Sequence, residues 1–228
     1  MVDSEEDGSE SADAEEGDRR TQKAGISLLD KAHLKAHDEL RRVDQVISEF
    51  TELPSNWNGN VELHYEPGWR GMKPFRCDIR LDIDRQKLDA RWRTHLHEVL
   101  HAHSAGYLRA AFDDYPGWEE GVVEKLQRLL RPRVVAHLGL ELSETVFAQE
   151  DAEHDYNPYV EALDKLYRFL QLPHESETDF YVGLLSTPIS QRIAWTITRG
   201  RKLPPEEGSA FFRAFATANA TLRRKLRT

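Results

Sequence analysis

The chain has 228 residues, 39% of them apolar and 31% charged, with a formal net charge of -9. That length supports one domain with a real core, no run approaches the roughly 18 apolar residues of a membrane-spanning helix, and the single cysteine, Cys77, excludes an internal disulfide framework or a cysteine-based zinc ribbon. Nine of the 40 acids fall within residues 1–18, which hold no Lys or Arg, so the body from Arg19 onward is formally neutral and gives no support to a nucleic-acid or anionic-membrane partner.

Residues 1–24 are rich in Asp, Glu, Ser and Gly, with no aromatic residue. They carry too little apolar surface to offset their ordering entropy, which predicts a disordered acidic tail. An acidic start is not a basic-then-apolar secretory leader, and with the lone cysteine it predicts a cytoplasmic protein. From Ser27 the apolar residues Leu29, Ala32, Ala36, Leu40, Val43, Ile47 and Phe50 recur at spacings of three and four, predicting a helix that Pro54 stops. Two alternating runs follow, Val61–Glu66 and Cys77–Asp84, each a strand with one buried face, and Cys77 falls on the inward face of its strand. Beyond Asp89 the chain reads as helices: 90–105, 117–131 ending before Pro132, one opened by Asn157-Pro158, one opened by Thr187-Pro188, and a last one from Pro205. The expected class is α+β, mostly helical, with a small antiparallel sheet beside the helix over 90–105. The expected division is a tail over 1–24, a core over 25–131 holding the site, and a helical part of the same domain over 132–228.

One pentapeptide carries chemistry: His97-Glu98-Val99-Leu100-His101, an H-E-x-x-H within a predicted helix. Positions four apart lie about 40° from each other around a helix axis, so the two imidazoles can address one metal ion. Glu98, next to the pair, can reach a water on that metal without becoming a ligand, as a general base must. Nineteen residues past His101 lies Glu120, near the start of the next predicted helix, which a turn through Asp113, Asp114, Pro116 and Gly117 can fold back onto the first. His, His and Glu with an open fourth position suit a catalytic Zn2+. Glu119 is the alternative third ligand, although it sits about 100° around the helix from Glu120. His95 and His103 project from other faces and read as surface or supporting residues. His33 and His37 form another i, i+4 pair but lack an adjacent Glu and read as a solvated face.

Over residues 95–124 the sequence resembles the gluzincin metallopeptidases, whose signature is H-E-x-x-H followed after some 18 to 20 residues by a Glu on a second helix. Glu120-Gly121 resembles the Glu-Gly of the aminopeptidase branch, and Glu124 occupies the offset at which the thermolysin branch places a carboxylate behind a zinc histidine. The resemblance implies a zinc-dependent hydrolase acting on a peptide or protein, with Glu98 as base, His97, His101 and Glu120 on the metal, and Glu124 supporting a ligand. It also places the Cys77–Asp84 strand as an edge along which a substrate lies. A later Tyr or His is needed to stabilise the oxyanion, and the cluster from His154 to Tyr159 is the preferred region. The rival reading is a non-catalytic helical interaction protein whose metal only staples two helices.

Overall fold

The first helix, α1 (Glu10–Thr51), is also the longest. This computed structural model describes residues 10–65, 71–72 and 78–226, with side chains from residue 29 onward. Residues 1–9, Cys77 and the last two residues lie outside the described part. The stripe Ala36, Leu40, Val43 and Ile47 is buried, whereas Leu29 is 53% exposed, beyond the packed length of the helix. The helix starts at Glu10 rather than Ser27, so residues 10–24 are helical where composition predicts disorder. Ala, Glu, Arg, Gln and Lys predominate there, and Glu15 and Glu16 precede Arg19 and Arg20 by four residues, the favourable order for a helix surface. Glu52, with φ of 58°, closes α1 through its N–H to the Ser48 carbonyl, and Pro54 follows.

Strands β1 (Val61–His64), β2 (Gly71–Met72) and β3 (Ile79–Asp82) form one sheet in the order β1-β3-β2. The two expected strands are present in shortened form, but they run parallel, with Val61 opposite Ile79, and only β2 is antiparallel to β3. The sheet is therefore mixed, and β3 is its centre rather than an edge. Alternation of apolar residues fixes which face of a strand is buried and leaves its direction open. His33 is exposed and His37 half-buried; from that solvated face His33 Nε2 also donates to the Val61 carbonyl at 2.7 Å, and the His37 ring packs on Trp57, so the pair helps brace β1.

Helix α2 (Arg91–His103) is buried from Trp92 through His103, although seven of those twelve residues are polar. Each such group needs a partner. His95 bonds to Gln86 Oε1 at 2.8 Å; His103 Nδ1 lies 3.0 Å from the Leu53 carbonyl oxygen and its Nε2 3.1 Å from Asp44 Oδ1. Neither lies at the surface. A Cβ added to Gly71 would sit 2.8 Å from Thr94 Cγ2, so β2 lies directly on α2.

After α2 come α3 (Arg109–Asp114), α4 (Pro116–His137), α5 (Thr145–Ala152), α6 (Asn157–Leu170), α7 (Glu177–Ser186), α8 (Arg192–Gly200) and α9 (Pro205–Arg223). Helix α4 runs through Pro132, where the sequence predicts a stop. An interior proline costs about 3 kcal/mol. Here it sits on the exposed side, while buried Val134 and Val135 anchor the extra turn in the core. Helix α4 meets α6 closely at two glycines: a Cβ on Gly117 would come within 2.5 Å of the Tyr159 ring, and one on Gly121 within 2.9 Å of Tyr159 Cβ. Tyr159 is buried; its hydroxyl donates to the Arg224 carbonyl and accepts from the Leu226 N–H, tying residues 224–226 to α6. One hydrophobic core runs from Ala36 of α1 to Leu222 of α9, drawing on both sides of residue 132. Among the described residues, no helix is long and apolar enough to cross a membrane.

Candidate metal centre

Helices α2 and α4 pack against each other, and their facing sides bring His97, His101 and Glu120 together. His97 Nε2 lies 3.2 Å from His101 Nε2 and 3.2 Å from Glu120 Oε2, and His101 Nε2 lies 3.3 Å from Glu120 Oε2. A tetrahedral zinc about 2.0–2.1 Å from each donor sets its donors about 3.3 Å apart, so the three atoms stand at the spacing that ion requires. All three residues are buried, with His97, the most open, at 8% exposure.

Each imidazole turns its outer nitrogen toward a fully buried carboxylate. His101 Nδ1 donates to Glu119 Oε1 at 2.7 Å. His97 Nδ1 lies 3.3 Å from Glu124 Oε2, poorly aligned for a hydrogen bond, and among the described residues neither atom has a hydrogen-bond partner. Both glutamates are held in turn. Glu124 accepts from Arg93, Arg128 and Gln127, and Glu119 from Ser104 Oγ, with Arg192 2.8 Å from its Oε2. Such partners fix the ring orientation and tautomer of a ligating histidine.

Burial alone would lower the pKa of His101, but Glu120 and Glu119 outweigh it and raise it well above the usual range. Burial acts to raise the Glu120 carboxyl, and the two imidazoles outweigh that and hold it low. The pocket thus favours positive charge where the three donors converge.

Glu98 is 6% exposed and lies beneath β2, since a Cβ on Gly71 would meet its Oε1 at 3.3 Å. Two tyrosines flank the triangle. Tyr107 stacks on His101 with ring centroids 4.8 Å apart, and Tyr156 on His97 at 6.0 Å. Burial first, then the negative charges of Glu120 and its neighbours including Glu98, pushes both hydroxyls far above the usual phenol range. They stay protonated and remain donors. Elsewhere in the preferred cluster, Tyr159 spends its hydroxyl on the Arg224 carbonyl, and His154 lies 4.0 Å from Glu124 with its ring against Tyr156.

Compared with protein-family models, curated proteins and solved structures, the chain matches none. Geometry therefore carries the functional reading.

The structure brings together the three residues the sequence singles out, and of the two histidines that Glu124 was expected to support it sets that carboxylate beside His97. Sequence reasoning misses the place of Glu119, which faces the outer nitrogen of His101 rather than the point where the donors converge, and it misses Tyr107, Arg93 and Arg192. The signal for Glu119 was its pairing with Glu120: consecutive acids at the start of a buried helix straddle two imidazoles, one reaching the inner nitrogens and one an outer nitrogen.

Proposed function

We propose that the chain is a zinc-dependent hydrolase, a peptidase, in which His97, His101 and Glu120 hold the metal and Glu98 is the general base. The observation that carries this reading is the triangle of 3.2, 3.2 and 3.3 Å among three ligand atoms, with carboxylates behind both imidazoles. Zinc in that position supplies a Lewis acid that polarises a carbonyl and acidifies water. The rest falls to the chain. Glu98 accepts the proton of the attacking water and delivers it to the leaving amine. Tyr156 or Tyr107, each a protonated hydroxyl beside the site, donates to the developing oxyanion. The edge of the sheet near Glu98 is β2, so an extended peptide would align there rather than along β3.

The test is zinc content of the purified full chain, paired with hydrolysis of a mixed peptide library read by mass spectrometry. The wild type carries about one zinc, and the His97→Ala, His101→Ala double variant carries none. Glu98→Gln keeps zinc and fold while losing about 10²–10⁴-fold or more of the hydrolysis rate. Wild type without zinc overturns the metal assignment. Zinc-loaded wild type that cleaves nothing in the library returns the site to a staple between helices.

A further inference from the structure

Arg192, the first residue of α8, is fully buried at 0% exposure, and all of its polar atoms are engaged. Its Nε donates to the Thr187 carbonyl at 3.1 Å and its Nη2 to Ser104 Oγ at 2.7 Å. Its Nη1 donates to the Trp118 carbonyl and lies 2.8 Å from Glu119 Oε2. Glu119, also at 0% exposure, divides its two oxygens: Oε2 takes Ser104 and Arg192, and Oε1 takes the Nδ1–H of His101. Backbone bonds brace the same place, from Ala105 N–H to the Leu185 carbonyl and from Ile189 N–H to the Ala105 carbonyl.

A guanidinium withdrawn from water costs several kcal/mol unless paired, and apolar residues of similar volume often stabilise as well or better. The ion pair is thus a poor device for stability alone. Its geometry does something an apolar filling cannot: it prevents the Glu119 carboxylate from turning. We infer that Arg192 is a positioning residue of the metal centre, fixing Glu119 so that His101 carries its proton on Nδ1 and presents a bare Nε2 toward His97 and Glu120. This rests on the reading that those residues hold zinc. The chain from α8 through Glu119 to His101 makes the distal helical half a determinant of the ligand set.

The test uses the full-length chain and zinc itself, with affinity measured by competition against a chromophoric chelator and melting temperature measured alongside. Arg192→Met keeps the volume and removes the charge and fork; Arg192→Lys keeps a buried cation and loses the fork. The expected result is zinc affinity reduced by about 10–100-fold in Arg192→Met, with Arg192→Lys between it and wild type. Adding Glu119→Gln to Arg192→Met costs little more, because both act through one path. If Arg192→Met fails to fold, Arg192→Lys and Glu119→Gln alone carry the comparison, both expected below wild type. Affinities within twofold of wild type, with only the melting temperature lowered, overturn the inference while leaving the metal reading intact. A wild type that binds no zinc removes both.

Discussion

Replacing Gly121 by alanine asks whether the glycine after Glu120 is there for packing. In an open helix interior the change would stabilise the protein by up to about 1 kcal/mol, because glycine is the poorer helix former. Here the new methyl would lie 2.9 Å from Tyr159 Cβ, 2.9 Å from Leu163 Cδ1 and 3.3 Å from the Tyr159 carbonyl carbon. Leu163 can rotate away, but Tyr159 Cβ is fixed by its own backbone. Carbon atoms rest about 3.5–4.0 Å apart, so α4 and α6 must separate by about 0.5–1 Å at this point. Overpacking against a Cβ that cannot move falls in the upper part of the usual range, about 2–3 kcal/mol, leaving a net loss of about 1–2 kcal/mol after the helix gain. For a chain of this size that is a fall of about 2–8 °C in melting temperature. The same displacement moves Glu120, one residue earlier, in a triangle where donor distances tolerate only about 0.2 Å. Calorimetry and zinc competition on Gly121→Ala should therefore both register a loss. An unchanged or raised melting temperature would refute the packing argument, and lowered stability with undiminished zinc affinity would uncouple Gly121 from the centre.

Glu124→Gln should lower both stability and zinc affinity, because it strips charge from a buried acceptor of Arg93 and Arg128: about 3–5 kcal/mol for the broken pairing, and about 10–100-fold in affinity. Stability falling with affinity unchanged would confine Glu124 to the arginine network. Tyr156→Phe should leave zinc content alone and, if Tyr156 is the oxyanion donor, cut kcat by about 10²–10³-fold; wild-type kcat would hand that role to Tyr107. Asp151, where burial acts to raise the pKa, is held below its usual range because Arg131 and Arg93 outweigh that effect. A depressed carboxylate contributes stability above its unfolded pKa and loses it as pH falls through the folded value. Asp151→Asn should thus cost about 1.5–3 kcal/mol near neutrality, shrinking below about pH 4, as followed by melting temperature against pH. A difference that does not vary with pH would contradict it.

The local part of the site was legible because helical spacing is local. His97 and His101 are neighbours by geometry alone, and Glu120 needs only one turn and one helix start to reach them. Glu119 lies about 100° from Glu120 around the helix, which makes it the weaker ligand candidate and is the angle that lets it reach the other side of His101. Arg192 could not be read from the sequence, since it stands 88 positions beyond Ser104 and nothing local encodes their contact. In the fold, buried alternation marked β1 and β3, but alternation carries no strand direction, so their parallel pairing was not legible. The Ser176–Asp179 capping box that starts α7 was present in the sequence as a local signal and was passed over, along with the short α3 and α5. Pro132 misled for the opposite reason: its local penalty is real, and tertiary burial of Val134 and Val135 overrides it.

The anchoring of residues 224–226 on the Tyr159 hydroxyl has a consequence for how the molecule is handled. Tyr159 is the wall against which both glycines rest, its ring against Gly117 and its Cβ and backbone against Gly121, and Glu120 lies between those glycines. A cut after Leu222 would remove both partners of that hydroxyl and free the ring on the far side of the helix bearing Glu120. An affinity handle is better placed ahead of α1, where Ala36 is the first buried side chain among the described residues, than on the segment after α9. A proteolytic clip near Arg223 would reach the donor triangle from a distance, loosening it without touching any of its members.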